Sequence, residues 1–334
     1  MKEVFPVLGF DVGGTKIAVC LADSAGTVLG SARIGTKDRH PDQVLPEIVS
    51  AGMDLLDQAG IKSHQLHAIG IGAPGPIDIP KGLMLSSPNM KSWNNVPIRD
   101  YLHENFGVPV AFDNDANAGA LAEWIFGAGK GCRDMLYLTM STGIGGGIIA
   151  NGHLVQGTSG LAGEVGHVIL DITGPKCNCG LTGCYEAFCG GRAIAQRIQR
   201  ELAGQTDHPI VHHAGGKLED VDLVALEKAV RDGDSYANTL WAEMCLRNSQ
   251  AIGIFINIFN PQKIVLGTLA WAAGDLFMKP VLKELPRFCW PETLRDCDVV
   301  PSALKRKIGE LSGACIALNE LYERGEWLPS WLKK

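Results

Sequence analysis

The sequence has no excess of basic residues and few aromatic ones. Aromatic side chains make up 7% of its 334 residues, and 36 acidic residues outnumber 30 basic ones, which gives a formal charge of −6 at pH 7. Proteins that bind nucleic acid in general rely on clustered Lys and Arg to contact phosphates. The charge balance and the lack of a basic stripe therefore argue against nucleic acid as a partner.

Long apolar runs are also missing. The segment from Met1 to Asp11 lacks the basic region, apolar stretch and cleavage site of a signal peptide, and the most apolar later run, 251–259, is short and contains Asn257. Ten cysteines, three clustered and the others scattered, form no evenly paired disulfide framework. We therefore expect a cytoplasmic protein in a reducing compartment, with no membrane partner.

The chain is long and apolar enough to form two lobes. Hydrophobic residues make up 46% of the sequence, and a single core stops growing near roughly 250 to 300 residues. Strand-like segments such as 66–71 and 263–266 alternate with helical patterns such as 235–259 and 308–322. This alternation predicts an α/β protein.

Two glycine-rich hairpins stand far apart in the chain. Val7 to Val12 reads as a strand that turns at Gly13-Gly14-Thr15 and returns from Ile17 to Leu21. Met135 to Met140 leads into a second turn, 141–147, and returns through residues 148–150. The repetition suggests two related lobes.

Such hairpins favour nucleotide binding, because glycines let backbone N–H groups approach phosphate oxygens. Thr15, Lys16 and Thr142 would add side-chain donors. The alternative is that both segments are merely tight turns.

The segment 70–75 matches the dinucleotide-binding fingerprint literally, but the match is false, since Pro74 and Pro76 stand where that motif must open a helix. We read the segment as a rigid turn that places Gly75 beside a ligand.

The segment Asp113–Asn117 follows a predicted strand and precedes a predicted helix. One of its side chains is expected to cap the helix. A carboxylate at this strand end is equally well placed as a general base that accepts a hydroxyl proton during attack on phosphorus. Position alone leaves the two interpretations nearly even.

Four metal-binding side chains fall within eighteen positions: His167, Cys177, Cys179 and Cys184. Three thiolates and one imidazole can complete a tetrahedral zinc shell, and glycines separate the cysteines. The alternative is that some are ordinary buried cysteines. A metal here would fix the backbone of Glu164 and Glu186, which flank the cluster and could bind hydroxyl groups.

Six segments taken in order resemble the ROK family of sugar kinases and repressors. They span nearly the whole chain and are of several independent kinds, which makes the match specific. They are 11–16 (DVGGTK), 72–75 (GAPG), 114–117 (NDAN), 141–147 (STGIGGG), 163–167 (GEVGH) and 177–186 (CNCGLTGCYE).

The resemblance implies an actin-like ATPase (ribonuclease H-like) fold with two α/β lobes and a central cleft. The expected small lobe covers residues 1–116 and is joined by a C-terminal helix at about 311–330, and the larger lobe covers 117–310. The implied activity is transfer of the γ-phosphoryl group of ATP, with Mg²⁺, to a sugar hydroxyl, usually the 6-hydroxyl of a hexose. Zn²⁺ would be structural, and the family implies a homodimer.

The resemblance also assigns roles, with Asp115 as the catalytic base. The residues that would surround the sugar are Gly75, Asn89, Asn114, Asp115, Glu164, His167 and Glu186. The residues that would face the nucleotide are Gly13, Gly14, Thr15, Lys16, Thr142, Gly143 and Gly267. His167 would be shared between sugar and zinc, and Thr268-Leu269-Ala270 after Gly267 departs from the more glycine-rich family pattern.

The segments 87–89 and 93–97 look most like the glucokinase branch. Kinases of N-acetylmannosamine, N-acetylglucosamine or fructose remain alternatives, as does polyphosphate as the donor. The alternative of a different class is a non-catalytic sugar sensor. Family repressors carry a helix-turn-helix before the first hairpin, whereas ten residues precede Asp11, so we expect an enzyme.

Overall fold

The computed structural model describes residues 4–85, 90 and 92–332. Strands and helices alternate along the chain. The strands are β1 (Pro6–Val12), β2 (Lys16–Asp23), β3 (Val28–Gly35), β4 (Ile69–Ala73), β5 (Ile77–Asp78), β6 (Leu83–Met84), β7 (Val110–Asn114), β8 (Met135–Met140), β9 (Ile144–Ala150), β10 (His153–Leu154), β11 (Lys263–Leu266) and β12 (Asp298–Pro301). The helices are α1 (Pro41–Gln58), α2 (Ile98–Phe106), α3 (Asp115–Phe126), α4 (Tyr185–Cys189), α5 (Gly191–Glu201), α6 (Pro209–His213), α7 (Leu223–Arg231), α8 (Ser235–Phe259), α9 (Thr268–Ala273), α10 (Asp275–Glu284), α11 (Pro291–Arg295) and α12 (Ile308–Glu323).

The first sheet has the strand order β3-β2-β1-β4-β7. β1, β2 and β3 are antiparallel neighbours, whereas β4 runs parallel to both β1 and β7. The central strands are buried almost throughout, as expected for strands that are covered on both faces.

Glycines let α12 lie very close to this first sheet. A Cβ atom on Gly9 would overlap the backbone nitrogen of Ala314, and one on Gly70 would overlap the carbonyl oxygen of Gly313. Any larger residue at either position would force the helix away from the strands. The close approach leaves the N-terminal end of α12 near Asp11, whose carboxylate lies beside the position of a Gly309 side chain.

The second five-stranded sheet has the order β10-β9-β8-β11-β12. β10 is antiparallel to β9, and β11 runs parallel to both β8 and β12. In both sheets the strands therefore follow the order third, second, first, fourth, fifth. This agrees with the repeat that the two glycine hairpins predicted, and confirms the α/β class.

The chain divides into two compact units. The first contains residues 1–133, 147–163 and 303–334, and the second contains residues 134–146 and 164–302. A core of apolar side chains from β1, β2, β4, α1 and α2 fills the first unit, with Phe10, Ile48, Ile71 and Trp93 among its most buried members. The lobe boundaries expected from the sequence stay a prediction.

The sequence predicts the ends of α8 correctly but places the start of β4 too early. α8 begins after Asp234, whose Oδ1 accepts a hydrogen bond from the Ala237 N–H at 2.7 Å, and ends at Asn260 in the left-handed conformation before Pro261. The strand expected at 66–71 begins later, at Ile69, because a 3₁₀ turn precedes it.

Within the described ranges, no helix combines the length and apolarity needed to cross a bilayer.

Candidate active site

The first glycine hairpin joins β1 to β2 and is braced by the residue that follows β3. The Gly13 N–H donates to the Lys16 carbonyl at 2.9 Å. Thr36 is buried and donates its Oγ1 hydroxyl to the Gly13 carbonyl at 2.7 Å and its N–H to the Thr15 carbonyl at 3.0 Å. The tip that carries the predicted residues Gly13, Gly14, Thr15 and Lys16 is therefore held in place by the protein itself.

Asp11 lies at the end of β1 beside this hairpin. Its pKa is raised to about 7, mainly by burial and further by the negative charge of Asp115, while Lys16 partly opposes both. Two carboxylates that repel each other in a partly dry site are ordinarily stabilised by a cation, and their oxygens are the ligands that Mg²⁺ prefers. The residues present therefore fit a magnesium ion.

Asp11 opens the first of the six family-like segments, 11–16, but its residue type and position in that segment alone assign it no role. The available signal was its position at the carboxyl end of a central strand, which is where ligands bind in open α/β sheets. What the sequence could not give was its distance from Asp115, a residue more than a hundred positions later.

Asn114 and Asp115 lie where β7 gives way to α3. The Asn114 side chain accepts a hydrogen bond from the Asn117 N–H at 2.7 Å, so Asn114 is the residue that caps the helix. Asp115 is the first residue of α3, where the helix dipole favours a negative charge. The two interpretations of this segment therefore apply to neighbouring residues: capping falls to Asn114, and Asp115 keeps the position suited to a base.

Gly75 lies in the turn between β4 and β5, and the Gly75–Pro76 peptide bond is cis. A Cβ atom on Gly75 would meet no other atom within 4 Å, so space lies beside this backbone. Asn89, the other sugar-binding residue expected in this part of the chain, lies outside the described residues.

The second glycine hairpin joins β8 to β9 and is braced in a different way. The Ile144 N–H donates to Glu186 Oε2 at 2.8 Å, and a Cβ atom on Gly143 would overlap that same oxygen. The first N–H groups of α5, from Gly191 and Arg192, donate to the Ser141 and Thr142 carbonyls at 2.9 Å. The predicted residues Thr142, Gly143 and Glu186 are thereby brought together in the second unit.

His167 lies between a carboxylate and the cysteine cluster. Its Nε2 is 4.0 Å from Glu164 Oε2, and its Nδ1 is 3.7 Å from Cys177 Sγ. On the other side of the cluster, Cys179 Sγ and Cys184 Sγ are also 3.7 Å apart. One imidazole nitrogen thus faces the cluster while the other faces Glu164.

The cluster has the dimensions of a tetrahedral metal site. One ligand atom from each of its four members, His167, Cys177, Cys179 and Cys184, lies within 4.8 Å of every other. Zinc–sulfur bonds of about 2.3 Å in a tetrahedron place neighbouring sulfurs about 3.8 Å apart, close to the separation seen here. The four residues can therefore hold a zinc ion without rearrangement.

Tight turns shape the cysteine loop. The Cys177 N–H donates to the Leu181 carbonyl at 2.9 Å, and the Gly180 N–H donates to the Cys177 carbonyl at 3.0 Å. Gly180 and Gly183 have positive φ angles of 96° and 79°, and a Cβ atom on Gly183 would overlap the Asp171 carbonyl. Glycine is required at 183 for both reasons, as its position in the sequence suggested.

Gly267 precedes α9, whose residues Thr268, Leu269 and Ala272 line a cavity of about 420 Å³ in the second unit. The Gly267 N–H donates to the Leu138 carbonyl at 2.8 Å. The cavity walls come from the second hairpin and from α5, α7 and α9, namely Met140, Ser141, Thr142, Gly191, Arg192, Ala195, Asp222, Leu223, Val224, Glu227, Thr268, Leu269 and Ala272. Apolar side chains with a few polar groups are typical of a pocket for a planar organic ligand.

Comparison with known proteins gives consistent matches. The family model described as ROK family matches residues 7–320. A glucokinase of Thermotoga maritima is 33% identical over 311 residues, which is 93% of this chain and 96% of that protein. The structure of a ROK hexokinase from Thermus thermophilus has a TM-score of 0.81 at 32% identity, with 96% of this chain and all of that chain covered.

Two further matches bear on ligands and on alternatives. A ROK family glucokinase from Streptomyces griseus, solved in complex with glucose and AMPPNP, has a TM-score of 0.76 at 29% identity and covers 93% of this chain and 99% of its own. A xylose repressor of Caldicellulosiruptor bescii is 29% identical over 95% of this chain and 78% of the repressor. The fold is thus shared by kinases and regulators.

Proposed function

The chain belongs to the ROK family and has its actin-like ATPase fold, and we propose that it is an ATP-dependent hexose kinase that phosphorylates the 6-hydroxyl of glucose. The observation that carries the proposal is the pairing of Asp115, at the start of α3, with Asp11 beside the first glycine hairpin. A sensor that only binds sugar has no need for two mutually repelling carboxylates next to a phosphate-binding turn. The similarity to glucokinases supports the choice of sugar.

Asp115 acts as the general base in this proposal. It accepts the proton of the sugar 6-hydroxyl as that oxygen attacks the γ-phosphorus of ATP, and the bond to the β–γ bridging oxygen breaks. Mg²⁺, when bound with ATP beside Asp11, supplies positive charge that offsets the charge of the transferring group. Lys16 and the braced hairpin from Gly13 to Thr15 orient the phosphates, which is the main protein contribution to a reaction of this type.

The cavity lined by α5, α7 and α9 suits the adenosine part of the donor. Leu223, Val224 and Leu269 offer apolar surface for a base, and Thr142 lies at the same cavity on the second hairpin. Thr268, which departs from the family pattern, contributes a wall rather than closing the pocket. Polyphosphate would leave such an apolar pocket unused, which favours ATP.

The residues proposed to hold the sugar are Gly75, Asn89, Asn114, Glu164, His167 and Glu186. Carboxylates accept hydrogen bonds from sugar hydroxyls. Zn²⁺ would bind to His167 Nδ1 and the three cysteine sulfurs, leaving Nε2 toward Glu164. In this arrangement the metal is structural and fixes the orientation of His167.

The test is a coupled ADP-release assay on the purified protein. Glucose, N-acetylglucosamine, N-acetylmannosamine and fructose are compared as acceptors, with ATP or polyphosphate as donor. We expect the highest kcat/KM with glucose and ATP. A clear preference for an amino sugar or fructose would reassign the substrate, and sugar binding without ADP release would favour a sensor.

The sensor deserves testing because of the similarity to a xylose repressor. Isothermal titration with glucose and with xylose, carried out beside the ADP-release assay, separates binding from turnover.

The homodimer and the cytoplasmic location stay predictions. Light scattering on the purified protein measures the first of them, and a monomer across the working concentration range would contradict it.

A further inference from the structure

Asp113 is a buried carboxylate that neither the proposed chemistry nor the metal sites use. It lies at the end of β7, two residues before Asp115, with 2% of its surface exposed. Burial raises its pKa, and hydrogen bonds from its neighbours oppose that rise. Burial of a carboxylate costs free energy unless hydrogen-bond donors surround it. The three groups that donate hydrogen bonds to Asp113 therefore indicate its role.

Two of the three hydrogen bonds hold the turn that contains Asp115. Asp113 Oδ1 accepts from the Asn114 N–H and from Asn117 Nδ2, both at 2.7 Å. Asn114 in turn accepts from the Asn117 N–H. The backbone on either side of Asp115 is therefore fixed by side chains before and after it.

The third hydrogen bond comes from a distant part of the chain. Gln156 Nε2 donates to Asp113 Oδ2 at 2.7 Å. The Gln156 carbonyl also accepts from the Ala162 N–H at 3.0 Å, which closes the base of the loop 156–162. Gly160 within this loop packs on Ile79, where a Cβ atom would lie 2.7 Å from the Ile79 side chain.

The loop that Gln156 anchors leads directly to a proposed sugar contact. Only Gly163 separates Ala162 from Glu164 in the sequence. The carboxylate of Asp113 is thus bonded on one oxygen to the turn of the proposed base, and on the other to the loop that precedes Glu164.

We propose that Asp113 and Gln156 are positioning residues for sugar phosphorylation, which hold the loop 156–162 against the turn that carries Asp115. The inference rests on the proposed kinase function. Phosphoryl transfer depends on alignment of the hydroxyl with the phosphorus, and small displacements of a positioned group lower the rate strongly. The pair touches neither reacting atom and acts through Asp115 and the segment before Glu164.

Gln156→Leu tests the pair, because it removes the donor at an exposed residue while leaving the buried Asp113 unchanged. We expect kcat to fall roughly ten-fold and the KM for glucose to rise several-fold, while the KM for ATP stays within about two-fold of wild type. Gln156→Arg keeps a donor and should retain at least about half of the wild-type kcat/KM. Gln199→Leu, which removes a single hydrogen bond to the Glu219 carbonyl, is the matched control.

The outcomes are distinguishable. A wild-type protein without sugar-dependent ADP release would overturn the proposed function, and this inference with it. An active wild type with an unchanged Gln156→Leu variant would overturn the inference alone. A lower melting temperature together with equal increases in the KM for glucose and the KM for ATP would also overturn it, because the pair would then be merely structural. A Gln156→Arg variant as impaired as Gln156→Leu would overturn it too, because the hydrogen-bond donor would then be irrelevant.

Discussion

The two five-stranded sheets have the same strand order but are packed differently. The central strands of the first, β1 and β4, contain Gly9, Gly70 and Gly72, whereas β8 and β11 contain no glycine. α12 lies against Gly9 and Gly70 at backbone contact distance. Strand order tolerates many side chains, but close approach of a helix requires glycine, so a shared topology does not imply shared packing.

The chemistry is also divided between the two halves. The first unit carries the carboxylates of Asp11 and Asp115 beside a hairpin braced by a threonine hydroxyl. The second unit carries the cysteine cluster and a hairpin braced by the Glu186 carboxylate and the N-terminus of α5. The two glycine turns are thus held in place by different side chains.

The largest expected effect concerns Asp115 in the first unit. Asp115→Asn removes the base but keeps the size of the side chain, so we expect kcat to fall roughly 10²- to 10⁴-fold while glucose still binds. Steady-state kinetics and calorimetry measure the two quantities, with the exposed Asp100→Asn as control. A near-normal kcat in Asp115→Asn would falsify the base assignment.

The next effect concerns the metal cluster of the second unit. Wild-type protein should contain one zinc per chain, and Cys179→Ser should lose most of it, because three ligands bind zinc more weakly than four. Loss of the metal loosens His167, so we expect a higher KM for glucose and a melting temperature lower by roughly 5 °C. Metal analysis and calorimetry check this, with Cys289→Ser, outside the cluster, as control.

Full zinc content in the Cys179→Ser variant would show that this cysteine is not a ligand. A wild-type protein purified without any zinc would contradict the metal assignment as a whole. The second result would also remove the metal as a feature that distinguishes the second unit from the first.

A third prediction tests the packing contrast itself. Gly70→Ala should lower the free energy of unfolding by about 1 to 3 kcal/mol or more, because the added methyl group overlaps the Gly313 carbonyl of α12. Ile264→Val in β11 of the second sheet should cost only about 0.5 to 1.5 kcal/mol. Urea unfolding measures both, and equal losses would contradict the idea that the central strands of the first sheet depend on glycine contacts and those of the second do not.

The last prediction concerns the pH dependence of stability in Mg²⁺-free buffer. The pKa of Asp11 is raised from 3.8 to about 7, so folding favours its neutral form, and this contribution is lost as pH rises through about 7. Relative to Asp11→Asn, wild-type stability should therefore fall between pH 4 and 7 and then level off. Urea unfolding at several pH values measures this, and parallel curves for the two proteins would contradict it.

Local signals in the sequence identified several elements correctly. α8 begins and ends at the predicted residues, because Asp234 caps it and Asn260-Pro261 stops it. The first hairpin, β8 and β11 also lie where predicted, whereas the return strand of the second hairpin, β9, begins at Ile144 rather than at residue 148. The start of β4 was predicted too early, since nothing in Leu66 distinguishes a strand from the end of a 3₁₀ turn.

Contacts between distant residues were the part that sequence reasoning missed. Glu186 was expected near a sugar, yet its hydrogen bond to the Ile144 N–H spans 42 residues. Thr36 was not singled out at all, although it holds the tip of the first hairpin. Neither contact leaves a local pattern, because each depends on how separate segments fold together.

The sequence by itself determined the family, the two glycine turns, the spacing of the metal ligands and the ends of the main helices. Each of these depends on residues close together in the chain, where steric preference and capping act directly. The tertiary structure decided which side chains meet: the carboxylate of Asp11 with that of Asp115, and the carboxylate of Asp113 with the amide of Gln156. Such pairs depend on the order of strands in a sheet, which sets distances that no local pattern encodes.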